Sequence, residues 1–156
     1  GLGDVYKRQA YQLVLESAVA LAIFIPMLIG TGGNAGSQTT STIIRALAVG
    51  DVEWRDAWWV WLHELGVGAA MGLVMGLVAF GLTFFWLNDN EIALTVALSI
   101  LAIVVWSTSA GSLLPLIAER LKIDPTVISG PAMSTIVDAT GLLIYFNVAR
   151  FVLQLG

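Results

Sequence analysis

Acidic and basic side chains leave four long gaps in this chain: Ser17 to Ile44, Leu65 to Asn88, Ile92 to Ala118 and Pro125 to Ala149. Only the last gap holds a charge, Asp138. About 20 helical residues cross the ~30 Å hydrocarbon core of a bilayer, so each gap is long enough to span it. In lipid every backbone N–H and C=O must find its partner within the protein, which leaves helices and closed barrels. The short alternating segments of a barrel are missing. The expectation is an all-α fold, a polytopic membrane helix bundle of four transmembrane helices with short connections. Composition agrees: 58% of the 156 residues are hydrophobic and 12% are charged, against about 25% charged in a soluble domain.

Other classes fall away on the same grounds. Cysteine is absent, which excludes a disulfide framework and a thiolate metal site. A net charge of −4 gives no reason to expect nucleic acid as a partner. The start of the chain is read separately. "DVYKRQ" is what one frame of a transposase adapter used in sequencing libraries encodes. Residues 1–9 are therefore expected to be a translated cloning scar. Residues 10–156 are then expected to be the transmembrane domain of a longer protein.

The connections orient the spans. The loop after the first span carries Arg45 and Arg55, and the loop after the third carries Arg120 and Lys122. "LNDNE", after the second, has no basic residue. By the positive-inside rule the first and third loops face the cytoplasm. Trp54, Trp58, Trp59 and Trp61 cluster at one end of the second span and Trp86 stands at the other, as in an interfacial aromatic belt. Gly68, Gly72 and Gly76 recur every fourth residue, a face suited to close helix packing inside the bundle.

Two features resist a purely apolar reading. "GTGGNAGSQTT", residues 30–40, places glycine and amide groups near the centre of the first gap, and Asp138 lies near the centre of the last. Thr31, Asn34, Gln38, Ser41 and Arg45 follow a three-and-four spacing, which makes one polar stripe on a helix. Pro131, Ser134, Thr135, Asp138, Gly141 and Tyr145 do the same on the last span. Such stripes are expected to face each other or a watery path rather than lipid. An aspartate at mid-membrane costs roughly 2.5–3.5 kcal/mol on insertion scales and marks an ion or proton pathway by default. A structural Asp bonded to hydroxyls or backbone is the alternative. No Lys or Arg lies at its depth, so a cation from solution would compensate it. Gly-rich backbone at that depth is tolerated where it lines a wet cavity, and its carbonyls could there serve as ligands.

Weaker motifs are set aside. "GTGGNA" fits a dinucleotide pattern but lacks the preceding strand. His63-Glu64 begins a zinc-protease motif whose second histidine is replaced by Val67. An aspartyl protease needs a pair of aspartates, which one chain lacks and which two copies of Asp138 could only imitate. No enzyme is expected.

"FIPMLIGTGGNAGSQTTSTIIRALAVGDV" followed by "ISGPAMSTIVDATGLLIYFNVARF" resembles the membrane domain of MgtE-type magnesium channels, over about residues 16–155. The resemblance implies a homodimer in the lipid bilayer of the plasma membrane, with five transmembrane helices per subunit and a pore on the two-fold axis. The spans here would be helices two to five. The cytoplasmic regulatory domains, paired CBS domains among them, and the first transmembrane helix would lie outside this sequence. Asp138 would match the aspartate of the central Mg2+ site. Gly32, Gly33, Asn34, Gln38, Ser134, Thr135 and Gly141 would line the pore. The ion would pass largely hydrated, since Mg2+ gives up water reluctantly. The function implied is magnesium influx through a channel. The alternative is a secondary carrier exchanging a divalent cation against sodium or protons.

Overall fold

The structure is a computed structural model and describes residues 1–128 and 130–154. Five α-helices carry it: α1 (Leu2–Ile23), α2 (Ile25–Ala48), α3 (Ala57–Leu87), α4 (Asn90–Arg120) and α5 (Gly130–Leu153). No strand occurs among the described residues. Four helical stretches are long and apolar enough to cross a membrane, with α1 and α2 counted as one. The all-α membrane bundle expected from the charge gaps is what forms.

The spans differ from the charge gaps at their edges. The first expected span, 17–44, is divided between two helices that meet at Phe24, where φ is −89° and ψ is −7°. The break lies two residues ahead of Pro26, which has no N–H for the carbonyl of Ala22 and crowds it sterically. Residues 2–9 continue α1 at its exposed start. The second span begins earlier than expected, because Trp58, Trp59 and Trp61 join α3. That helix ends at Asn88 in the left-handed conformation, φ 49°, which asparagine tolerates. Asp89 follows as N-cap, its carboxylate accepting from the N–H of Glu91 at 2.9 Å and Ile92 at 3.2 Å. α3 and α4 are thus joined by a turn of two residues.

The last span starts later than expected. Residues Pro125–Val127 form a 3-10 turn, and α5 begins only at Gly130. Asp124 stabilises the turn by accepting from the Thr126 N–H at 3.0 Å. That bond, aided by the Thr126 side chain, holds the Asp124 carboxyl below its ordinary pKa.

α4 is the central helix, packed against α2, α3 and α5. On α3, Gly68, Gly72 and Gly76 are buried against it, as the sequence predicts. A Cβ on Gly72 would stand 3.0 Å from the Leu101 side chain, and one on Gly76 3.0 Å from the Ala97 carbonyl oxygen. A Cβ on Gly68 would overlap Thr108. These contacts let two backbones approach where lipid removes the hydrophobic drive for helices to associate. α2 crosses α4 as closely: a Cβ on Gly111 would lie 2.7 Å from the Gly36 carbonyl oxygen, and Thr40 donates to the Gly111 carbonyl at 3.1 Å. Hydroxyls buried on α4 bond back into their own helix, Ser107 to Ile103 at 2.6 Å and Thr108 to Val104 at 3.0 Å.

Candidate functional site

The Gly-rich stretch is regular helix from Ile25 to Ala48. Its carbonyls are therefore committed to the helix, and the expectation that they are freed to bind an ion is corrected. The glycines serve packing instead. Each costs about 1 kcal/mol against alanine in a helix, and close approach to α4 and α5 offsets that. A Cβ on Gly32 would overlap Ile103 and come within 2.8 Å of Val137. On Gly36 it would meet Met133 at 3.2 Å, and on Gly33 it would touch Ser134 in ordinary contact at 3.4 Å.

This packing sets α2 beside α5 in antiparallel register. Gly33 faces Ser134, and the Ser37 hydroxyl donates to the Gly130 carbonyl at 3.2 Å and lies 3.3 Å from the Ser134 hydroxyl. The two unusual segments of the sequence are thus neighbours. Their polar stripes, however, do not close against each other. Asn34, Gln38, Ser41 and Arg45 are exposed on α2, while Gly32, Gly33, Gly36 and Thr40 fill the seam.

α5 divides its stripe. Met133, Val137, Gly141, Tyr145 and Ala149 are buried, a series at spacing four that winds slowly around the helix. Pro131, Thr135 and Asp138 remain exposed, and Ser134 is half-buried at the seam. Gly141 sits inside the chain, where a Cβ would meet the Ile103 side chain at 3.8 Å. Tyr145 is also internal, its hydroxyl donating to the Leu21 carbonyl at 2.6 Å. Of the residues singled out from sequence, Asn34, Gln38, Thr135 and Asp138 share an open polar face. Ser134 and Gly33 hold its seam, and Gly32 and Gly141 are buried within the chain. Asp138 has no ion pair or hydrogen bond among the described residues. Ser37 was not singled out, because it lies off the stripe and only the helix register shows what it joins.

An exposed carboxylate on a helix beside one that also presents exposed amides can hold a cation through its water shell. His63 plays no part: it is exposed on α3 and contacts Glu64 at 3.1 Å.

Comparison with known proteins adds a family. Residues 25–148 match the family model MgtE, described as a divalent cation transporter. The magnesium transporter MgtE of Thermus thermophilus is 41% identical over 146 residues, 94% of this chain and 32% of the relative. That of Enterococcus faecalis is 33% identical, with 92% of this chain and 32% of the relative covered. The Bacillus subtilis protein is 30% identical, covering 89% and 31%. The chain thus spans about a third of the length of the curated relatives it matches. The family is one of transporters, not enzymes. The matched residues contain both the Gly-Asn helix and Asp138, so this multi-pass membrane chain belongs to the MgtE family of divalent cation transporters.

Proposed function

We propose that this chain forms the conducting part of a magnesium channel in the plasma membrane, with Mg2+ as the ion carried inward. The observation that carries the reading is the open face of α2 and α5. Asp138, the one acidic residue of α5, is exposed there, and Thr135, Asn34 and Gln38 are exposed along the same pair of helices. A face of this kind is unfavourable against lipid and favourable against water.

A second copy completes the site. Two chains related by a two-fold axis would bring their polar faces together, and two Asp138 carboxylates would match the charge of a divalent ion. Carboxylate and amide oxygens suit Mg2+, which keeps several of its waters. The close relation to magnesium transporters supports the choice of ion. CBS-containing cytoplasmic domains, expected in the remainder of the protein, would control opening.

The test is magnesium uptake by the full-length protein in liposomes. Asp138→Asn preserves size and removes the charge. Uptake is expected to fall to background with normal expression and assembly. Uptake at the native rate would overturn the site. Current that continues without any coupling ion separates a channel from an exchanger.

A further inference from the structure

The polar stripe of α2 does not stop at Asn34 and Gln38. It continues through Ser41 to Arg45, and all four side chains are exposed. Their spacing of four, three and four keeps them on one side of the helix. Arg45 is therefore in line with the face that carries Asp138. Its guanidinium forms no ion pair among the described residues. Arg55, by contrast, pairs with Glu53 at 3.1 Å.

The helix register shows that α5 leaves Arg45 uncovered. α5 begins beside Ser37 and runs away from the end of α2 that holds Arg45. Residues 38–48 extend past that start, roughly 16 Å of helix at ~1.5 Å per residue. The stripe thus runs on past the start of α5, and the positive charge of Arg45 stands on that extension.

We propose that Arg45 is an electrostatic valve. It opposes entry of cations from its own side of the membrane and so makes flux run preferentially toward that side. The inference rests on the reading that the α2–α5 face conducts. Without ionic screening, a single positive charge ~9 Å from a divalent cation in a water-like medium lowers the local ion concentration roughly fivefold, and physiological salt reduces this. The effect is twice as large in the exponent for a divalent ion as for a monovalent one. Ions arriving from the opposite side meet Asp138 first and Arg45 only on exit.

A last-turn arginine also complements the partial charge of a helix C-terminus and anchors a span at the interface. Those roles affect insertion and stability; they do not set a direction of flow. The experiment therefore reads direction. Instantaneous Mg2+ currents of the full-length protein are recorded in excised patches with equal Mg2+ on both faces. The native protein is expected to pass several-fold more current toward the Arg45 side. Arg45→Gln should bring the ratio near unity, Arg45→Glu should invert it and Arg45→Lys should keep it. In the native protein, added choline chloride should weaken the asymmetry by screening, a measurement that needs no variant. Unchanged ratios in the Gln and Glu variants, or an asymmetry indifferent to salt, overturn the valve. Asp138→Asn in the same patches separates the two claims. If it abolishes current while the Arg45 series stays flat, only the valve fails. If it conducts like the native protein, the pathway fails and the valve with it.

Discussion

Asp138 and Gly32 show how differently two neighbouring positions can be constrained. Asp138 is exposed and makes no hydrogen bond or ion pair among the described residues, so its replacement should leave the packing intact and act on the ion alone. Gly32 is the reverse case. A methyl group there has no room between Ile103 and Val137, and overpacking of this kind costs roughly 1–3 kcal/mol. At Gly33 the same methyl meets only ordinary contact with Ser134. Gly32→Ala is therefore expected to lower thermal stability in detergent by that amount, and Gly33→Ala to leave it nearly unchanged. Equal losses in both would contradict the seam described here. The sequence makes these adjacent glycines look alike. Their difference comes from which side of a regular helix meets α4, and that depends on tertiary register.

At the scale of helices, the absence of charge marks four spans correctly, because lipid tolerates few ionised groups. It locates their ends poorly. Tryptophans and small polar residues are neutral to a charge count, so α3 gains its first turns from the aromatic cluster, and Pro125 to Ile128 are lost from α5 to a capped turn. The break at Phe24 has a visible cause in Pro26, yet a proline can also be absorbed, as Pro115 is inside α4. The break is stabilised across the bundle. Tyr145 is 1% exposed and donates to the Leu21 carbonyl at the end of α1. That carbonyl also accepts from the Phe24 N–H at 3.2 Å, so removing the tyrosine donor costs about 0.5–1.5 kcal/mol. Tyr145→Phe should show a loss of stability of that order, measured as a lower unfolding midpoint in detergent, with the Mg2+ dependence of transport unchanged. A variant as stable as the native protein would show that the bond contributes nothing to the junction.

For the whole molecule, the consequence is that one chain leaves its polar face uncovered. The stripes of α2 and α5 could be foreseen from their spacing. That they open outward rather than against each other could not, since glycine packing brings the helices together on other sides. Two copies meeting at this face would place the Asp138 side chains opposite each other, with the α3 glycines remote from the axis. In the full-length protein, cysteine at Asp138 should be bridged between subunits by a short bifunctional thiol reagent, and cysteine at Leu77, on the outer side of α3, should not. Bridging at Leu77 with none at Asp138 would place the subunit contact elsewhere.

The claim on which the rest depends is that this face is wet and lies on the ion's route. The chain has no cysteine of its own, so single cysteines report their surroundings cleanly. Thr135 and Gln38 stand on the polar face, while Leu143, 63% exposed, and Leu77, 66% exposed, stand on apolar ones. In the full-length protein, a charged, water-soluble thiol reagent should modify cysteine at Thr135 and Gln38, block Mg2+ flux, and be slowed by Mg2+. It should leave cysteine at Leu143 and Leu77 unmodified. Modification at Leu143 and Leu77 with none at Thr135 or Gln38 would contradict the account.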